Sequence, residues 1–153
     1  MTGIEAKLAE MGLTLPDAPA PAGNYVPYVR TGDLLHVSGQ IAMRDGVPIR
    51  GRLGETLDIA AGAAAAQVCA LSLLAQVRAA CDGDLGRLER VVKLTGFVAS
   101  TPDFTDQPAV INGASDLFGT LMGPAGQHAR AAVGVAALPL GVAVEIDGVF
   151  ALR

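Results

Sequence analysis

The sequence has few of the residues on which metal and redox chemistry depend. Its 153 residues include two histidines, two cysteines and no tryptophan, and aromatic residues make up only 4%. His36 and His128 share no metal-ligand spacing with each other or with Cys69 and Cys81, so a zinc site or a Ser-His-Asp triad would need more residues than the chain provides. We therefore predict no metal site, a structural role for His36, and buried core thiols for both cysteines.

Common binding and targeting motifs are also missing. The chain has no GxxxxGK[ST] phosphate loop, no GxGxxG dinucleotide loop and no GxSxG nucleophile elbow. No apolar run reaches the roughly 18 residues of a membrane span, and Glu5 and Lys7 interrupt the region where a signal peptide would be apolar. Cys69 and Cys81 lie in one predicted helix, about 18 Å apart along its axis, too far to bridge. These features predict a cytoplasmic protein that does not enter a membrane.

Charge is sparse and slightly acidic. Charged residues make up 17% of the chain, hydrophobic residues 51%, and the net charge is −4. A general nucleic-acid-binding protein presents a basic face, so nucleic acid is not an expected partner. We interpret the small basic cluster of Arg44, Arg50 and Arg52 as a solvated loop. So apolar a chain is expected to bury further surface in an oligomer.

The length of 153 residues predicts a single domain spanning residues 1–153, in which residues 1–22 form a helix and a proline-rich extension. Thr56 is the predicted N-cap of the longest helix. The alternation of strands with two long helices predicts an α/β fold, a mixed sheet with both long helices packed on one face. The predicted helices are Ile4–Met11, Ile59–Ala80 and Asp103–Leu121, and the predicted strands are Tyr25–Arg30, Leu34–Gln40, Arg90–Ala99 and two runs within His128–Arg153, with Val47–Leu53 a short strand or loop.

The last 26 residues, His128–Arg153, carry the most informative charges. Two apolar runs flank a Leu-Pro-Leu-Gly break and predict two buried strands joined by a turn. They contain Arg130 and Glu145, and a buried charge costs several kcal/mol unless it is paired or needed. Alternatively, both side chains reach solvent from strand ends or exposed faces.

A direct hairpin between these strands would place Arg130 and Glu145 on the same face, roughly 13 Å apart. That separation is too large for one small site within a single chain, although a neighbouring subunit could unite the two groups. A register slip of one residue would instead put them on opposite faces.

Five blocks of the sequence form a recognisable pattern by their order and spacing. They are GNYVPYV (Gly23–Val29), HVSGQI (His36–Ile41), VVKLTGFVAS (Val91–Ser100), DFTDQPAVIN (Asp103–Asn112) and HARAAVGVAALPLGVAVEI (His128–Ile146). With these blocks the chain, from about Gly23 onward, resembles a divergent branch of the reactive intermediate deaminase family, also called the Rid or YjgF family.

The resemblance implies a chorismate-mutase-like sandwich that assembles as a homotrimer with its sites in the clefts between subunits. It implies hydrolysis of small 2-imino or enamine acids to 2-keto acids and ammonia, without a metal or organic cofactor. By the same resemblance Arg130 binds the substrate carboxylate, for which a guanidinium suits better than an ammonium, and Glu145 orients the attacking water. The residues that would line the pocket are Tyr25, Ser38, Gly39, Asn112 and Ala132.

One position departs from the family pattern. Ala132 stands where a cysteine is frequent, which changes the size and polarity of the pocket and leaves the natural substrate open. Two other functions are compatible with the resemblance: a non-catalytic trimer that binds a carboxylate metabolite as a sensor, and a ribonuclease or translation inhibitor. The acidic charge and the lack of a histidine pair count against the latter.

Overall fold

The structure is a computed structural model that describes residues 2–153. It contains three α-helices and seven strands, joined by short 3-10 turns. The helices are α1 (Gly3–Glu10), α2 (Ile59–Ala80) and α3 (Gln107–Met122). The strands are β1 (Tyr28–Thr31), β2 (Leu34–Ile41), β3 (Met43–Arg44), β4 (Val47–Pro48), β5 (Leu88–Ala99), β6 (Ala129–Val135) and β7 (Val144–Leu152).

Five strands form one mixed sheet in the order β1-β2-β7-β5-β6, and β3 and β4 form a small separate ribbon. All neighbours in the large sheet are antiparallel except β5 and β6, which are parallel. A parallel pair needs a crossover connection, and α3 supplies it. Helices α2 and α3 pack against each other and against the sheet, which confirms the predicted fold class.

The core consists mainly of aliphatic side chains from α2, α3 and the sheet, as the low aromatic content predicts. Helix α2 alone among the helices of residues 2–153 is long and apolar enough to span a membrane, with a mean hydropathy of 1.6. However, 61% of that apolar stretch is buried inside the fold, as in the core helix of a globular domain. Cys69 and Cys81 are buried and free, which confirms their prediction as core thiols.

The starts of the two long helices differ from the predictions. The Asp58 side chain caps α2 by accepting a 2.8 Å hydrogen bond from the Ala61 backbone N–H. Thr56 does not cap the helix, because it lies in the preceding turn and its hydroxyl accepts from the Arg52 backbone N–H at 2.9 Å. Helix α3 begins at Gln107 rather than Asp103, with Pro108 in its first turn, where a missing N–H costs nothing.

The predicted hairpin between the last two strands is wrong. Strands β6 and β7 belong to the same sheet, but β5 lies between them and pairs with both. The break at Pro139–Gly141 reverses the chain, yet it carries the backbone across the end of β5 instead of turning back at once. A local turn signal predicts reversal and cannot tell which strand becomes the neighbour.

Helices α2 and α3 approach most closely where Gly113 meets the backbone of Ala63. A Cβ atom at position 113 would overlap the Ala63 carbonyl. At Gly119, six residues further along α3, a Cβ would meet nothing within 4 Å. The two glycines of one helix therefore have opposite environments.

We expect Gly113→Ala to destabilise the protein by about 1–3 kcal/mol through overpacking, although alanine is the better helix former. Gly119→Ala is the matched control and should stabilise by up to about 1 kcal/mol. Denaturant unfolding at one fixed protein concentration would measure both. Equal stabilisation by the two substitutions would contradict the close helix contact.

Candidate functional site

The predicted site residues fall into two separate groups. The first, called here the Arg130 cluster, joins the predicted Arg130 and Asn112 to two residues that were not predicted, Ser115 and His128, at the outer edge of the sheet. The second lines a cavity that contains the Glu145 side chain and is called here the Glu145 cavity.

The guanidinium of Arg130 is held by the side of α3. Its Nη1 donates to Asn112 Oδ1 at 2.8 Å and to Ser115 Oγ at 3.0 Å, and Nη2 donates to the Pro108 carbonyl at 3.5 Å. Asn112 and Ser115 are three residues apart and so share one face of the helix. Among residues 2–153, no carboxylate forms a salt bridge with Arg130. A half-buried, oriented cation without an anionic partner is suited to bind an external carboxylate.

The imidazole of His128 completes the cluster. Its Nδ1 lies 2.6 Å from the Gly126 carbonyl, which can only accept, so Nδ1 carries the proton. In the neutral ring Nε2 is then an acceptor, and the Ser115 hydroxyl, 2.9 Å away, donates to it. This leaves a lone pair of Ser115 Oγ to accept from Arg130. The hydrogen bonds therefore run in one direction, from Arg130 through Ser115 to His128.

Ala132 lies two residues beyond Arg130 on β6 and so projects from the same face of the sheet. It is half-buried and packs against the hydrophobic core. A methyl group here leaves the surroundings of the Arg130 cluster apolar. The structure therefore places Arg130, Asn112 and Ala132 near one another, as the sequence predicts.

The Glu145 cavity has a volume of about 530 Å³ and lies beside the bulged part of β2. Gly39 and Tyr25 line it together with Glu145. A Cβ at position 39 would lie 2.5 Å from Glu145 Oε1, so only glycine lets the carboxylate rest against the backbone of β2. The bulge and the glycine together give the carboxylate its position.

Burial raises the pKa of the Glu145 carboxyl above its usual range, and the nearby Asp147 raises it further. Among residues 2–153, no group donates a hydrogen bond to the Glu145 carboxylate that would offset these effects. A carboxyl group with a raised pKa accepts a proton more readily near neutral pH than an ordinary one.

Ser38 supports the cavity from outside it. Its backbone N–H donates to the Pro27 carbonyl at 2.9 Å and its hydroxyl to the Val26 carbonyl at 2.8 Å. These bonds tie down the segment that carries Tyr25, whose hydroxyl accepts from the Ala22 backbone N–H at 3.3 Å. In this arrangement Ser38 positions the cavity wall.

Arg130 and Glu145 project from opposite faces of the sheet, which corrects the same-face prediction. Arg130 pairs in register with Leu94, which is buried beneath the helices, and its guanidinium contacts α3. Glu145 alternates with the buried Val144 and Ile146 and so faces the other way. One small molecule cannot reach both groups within a single chain.

The sequence-based reasoning missed Ser115 and His128 as members of the site. The three-residue spacing from Asn112 to Ser115 was a usable signal, since it marks one helix face. The contact of His128 with that face is set by the path of the chain after α3. The other histidine, His36, is exposed on β2, so its predicted role as a satisfied structural histidine is wrong.

No group of three or more His, Cys, Asp or Glu residues within 2–153 has the arrangement needed to hold a metal ion.

Residues 15–152 match the family described as Endoribonuclease L-PSP, whose members are the YjgF or Rid proteins. The chain belongs to the Rid family. This Rid protein is 52% identical over 152 residues to Protein TCP17 of Trypanosoma cruzi, covering 98% of this chain and 94% of that protein.

Two further similarities define its place in the family. A crystal structure of an Agrobacterium tumefaciens protein of unknown function superposes with a TM-score of 0.93 at 49% identity, covering 99% of this chain and 93% of that one. The 2-iminobutanoate/2-iminopropanoate deaminase of Dermatophagoides farinae is 27% identical, covering 92% of this chain and 95% of that protein. The Rid protein thus resembles proteins of undefined activity more than it resembles the deaminase.

The raised pKa of Glu145 has a consequence for stability. A carboxyl whose pKa is higher in the folded than in the unfolded state favours folding most when protonated. Its ionisation therefore costs stability as the pH rises through the folded pKa. We expect Glu145→Gln to raise the free energy of unfolding above wild type at pH 8. The difference should shrink and vanish as the pH falls below the ordinary value of 4.5.

Denaturant unfolding of both proteins at several pH values, at one protein concentration, would measure this difference. Glu10→Gln, at an exposed carboxyl on α1, is the control and should change stability by less than about 0.5 kcal/mol. A Glu145→Gln protein less stable than wild type at pH 8 would show that the ionised carboxylate is stabilised by a partner.

Proposed function

We propose that this Rid protein hydrolyses 2-imino and enamine acids to 2-keto acids and ammonia. The observation that carries the proposal is the Arg130 guanidinium, oriented by Asn112 and Ser115 and left without a carboxylate partner among residues 2–153. Its planar fork matches a carboxylate bidentately. The naming of a 27% identical relative as an iminobutanoate deaminase supports the chemistry.

In the proposed reaction Arg130 binds the substrate carboxylate while Glu145 orients a water molecule toward the C=N carbon. The water oxygen forms a bond to that carbon as the C=N π bond breaks, one proton of the water passes to Glu145, and Glu145 returns that proton to the nitrogen, which becomes an amine. The C–N bond of the resulting carbinolamine then breaks: the hydroxyl proton passes through Glu145 to the leaving nitrogen, ammonia departs, and the C–O bond becomes the carbonyl of the keto acid. Because imines are intrinsically labile, orientation and charge stabilisation suffice, and no cofactor is proposed.

We further propose that the protein acts as a homotrimer in which the Arg130 cluster of one subunit faces the Glu145 cavity of the next. The opposite orientation of the two groups supports this, because only a second subunit can bring them together. The sheet face away from the helices also exposes apolar side chains, with Val29 at 53%, Leu34 at 39% and Val133 at 44% exposure. An uncovered apolar face of this kind is typical of a subunit interface.

A non-catalytic trimer that binds carboxylate metabolites through Arg130 is the second candidate, since the same cluster would serve it. For both candidate functions, we propose that the protein is cytoplasmic and binds a small molecule that carries a carboxylate. Nucleic acid and membranes are not proposed as partners. A ribonuclease has less support, because the net charge is −4 and the two histidines are far apart: His36 lies on β2, whereas His128 precedes β6, and β7 and β5 separate these strands.

Replacing Arg130 by alanine should lower kcat/KM for the hydrolysis of 2-iminobutanoate by about 10- to 100-fold, because a charge-assisted bidentate contact is lost. Arg130→Lys should have a kcat/KM close to that of Arg130→Ala, since an ammonium group cannot form two parallel hydrogen bonds to a carboxylate. Arg90→Ala removes a guanidinium that donates to the Gln127 carbonyl at 2.9 Å, near the same sheet edge, and serves as the control with activity near wild type.

The assay follows keto acid and ammonia release from imines generated in situ, with the spontaneous rate subtracted. A value of kcat/KM for Arg130→Ala equal to that of wild type would refute the assigned anchor. A wild-type protein that binds keto acids through Arg130 but accelerates nothing would favour the sensor.

Mixed assembly tests the shared site. Arg130→Ala and Glu145→Gln subunits should each keep at most about a tenth of the wild-type activity when assembled alone. When the two are refolded together in equal amounts, about one quarter of the sites in a cyclic trimer combine an intact Arg130 with an intact Glu145 from the neighbouring subunit. We therefore expect recovery of about a quarter of the activity of wild type refolded in the same way. No recovery, despite mixed oligomers confirmed by tag capture, would place both groups in one subunit.

A further inference from the structure

We infer that the Glu145 cavity binds a bulky apolar substrate side chain, so that the preferred substrates are 2-imino acids of the leucine or phenylalanine type. This inference rests on the proposed function, and it concerns the part of the substrate that takes no part in the reaction. Three features of the cavity carry it: its volume, its composition and the way in which its wall is held.

The cavity is too large for a small imino acid alone. Its volume of about 530 Å³ falls within the range that accommodates drug-sized ligands. The methyl or ethyl group of a small imine would fill only a fraction of it. Because Glu145 and Gly39 form one part of its lining, a side chain attached to the reacting carbon would extend from the carboxylate into the remaining space.

The lining is mainly apolar and, among residues 2–153, contains no cation. Among the residues of 2–153 that form it, none is lysine, arginine or histidine, and the carboxylates besides Glu145 belong to the exposed Asp17 and Asp45. A second carboxylate on the substrate would find no partner here and would be repelled. Imines with acidic side chains are therefore disfavoured, while aliphatic and aromatic ones gain from burial. The apolar lining includes Pro16, Pro19, Ala20, Pro21, Met43 and Leu140.

One wall is formed by the proline-rich connector between α1 and β1, defined here as residues 13–24, and polar side chains of α2 hold it in place. Gln76, which is 1% exposed, donates from Nε2 to the Pro19 carbonyl at 2.7 Å. Arg78 donates from Nη2 to the Pro16 carbonyl at 3.3 Å. The amide oxygen of Gln40 also lies 3.4 Å from Gln76 Nε2, and Gln40 itself lines the cavity.

A buried amide committed to one backbone carbonyl is costly unless its bond is formed. The connector is therefore a fixed wall of the cavity. Gln76 links it to Gln40 of β2, which also lines the cavity. In this arrangement Gln76 is a positioning residue for substrate size, and the connector determines specificity.

The test compares 2-imino acids generated in situ by amino-acid oxidases from alanine, 2-aminobutyrate, leucine, phenylalanine and glutamate. Each extra methylene buried in a hydrophobic pocket changes kcat/KM by about 10-fold or more. We expect kcat/KM for the leucine and phenylalanine imines to exceed that for the alanine imine by at least about 10-fold. The glutamate imine should be hydrolysed no faster than the alanine imine. Equal rates for small and bulky imines, or a preference for the acidic one, would overturn the inference.

A variant that fills the cavity tests whether the connector wall determines the preference for bulky imines. Ala20→Phe places a ring in the wall and should lower kcat/KM for the leucine imine at least about 10-fold more than for the alanine imine, mainly through KM. Ala18→Phe is the matched control, because Ala18 is exposed in the same connector but does not line the cavity. For Ala18→Phe, the ratio of kcat/KM for the leucine imine to kcat/KM for the alanine imine should equal that of wild type. The same fall in ratio for both variants would overturn the assignment of the wall.

Binding of keto acids separates this inference from the proposed reaction. Calorimetric titration of 4-methyl-2-oxopentanoate and pyruvate needs no catalysis, and the bulky acid should bind at least about 10-fold more tightly in wild type but not in Ala20→Phe. If no imine is hydrolysed and this preference is nevertheless found, the deaminase proposal fails while the cavity assignment stands. If imines are hydrolysed without a preference in either assay, the deaminase proposal stands and the cavity assignment fails.

Discussion

The contact between α2 and α3 at Gly113 governs the position of the candidate anchor. Without a side chain there, the backbone of α3 lies directly against Ala63. Asn112 and Ser115 flank this point on α3 and hold the Arg130 guanidinium. A helix that packed further away would move both hydrogen-bond acceptors with it, so the direction of Arg130 is set by helix packing rather than by β6 alone.

The candidate site contains charges that the folded chain leaves uncompensated. Arg130 is bound by neutral groups, and Glu145 sits in surroundings that raise its pKa. A core selected for stability alone would pair or remove such groups. Their separation onto opposite faces of one sheet gives each subunit two incomplete halves, and assembly would supply what each half lacks. This arrangement links the proposed activity to the oligomeric state.

The N-terminal connector connects the fold to the size of the cavity. It has no helix or strand of its own, yet Gln76 and Arg78 of the core helix α2 bind its carbonyls. The prolines restrict its backbone, which lowers the entropy lost when it is fixed. An apparently loose extension thereby becomes a wall of the Glu145 cavity, opposite the strands that carry Gly39 and Glu145.

The sequence by itself determined where the long helices and the main strands lie, and which residues are the candidates for binding and catalysis. The alanine-rich run predicted α2 as Ile59–Ala80, because helix formation depends on local composition, although Asp58 caps the helix instead of the predicted Thr56. The unusual charges at Arg130 and Glu145 and the family blocks marked the residues to examine. Only the tertiary structure decided that β5 lies between β6 and β7, since strand pairing depends on non-local contacts that a turn signal does not encode. It therefore also decided that Arg130 and Glu145 face opposite ways, and that Ser115 and His128 join the anchor. Those relations arise from the crossover through α3, which no local pattern describes.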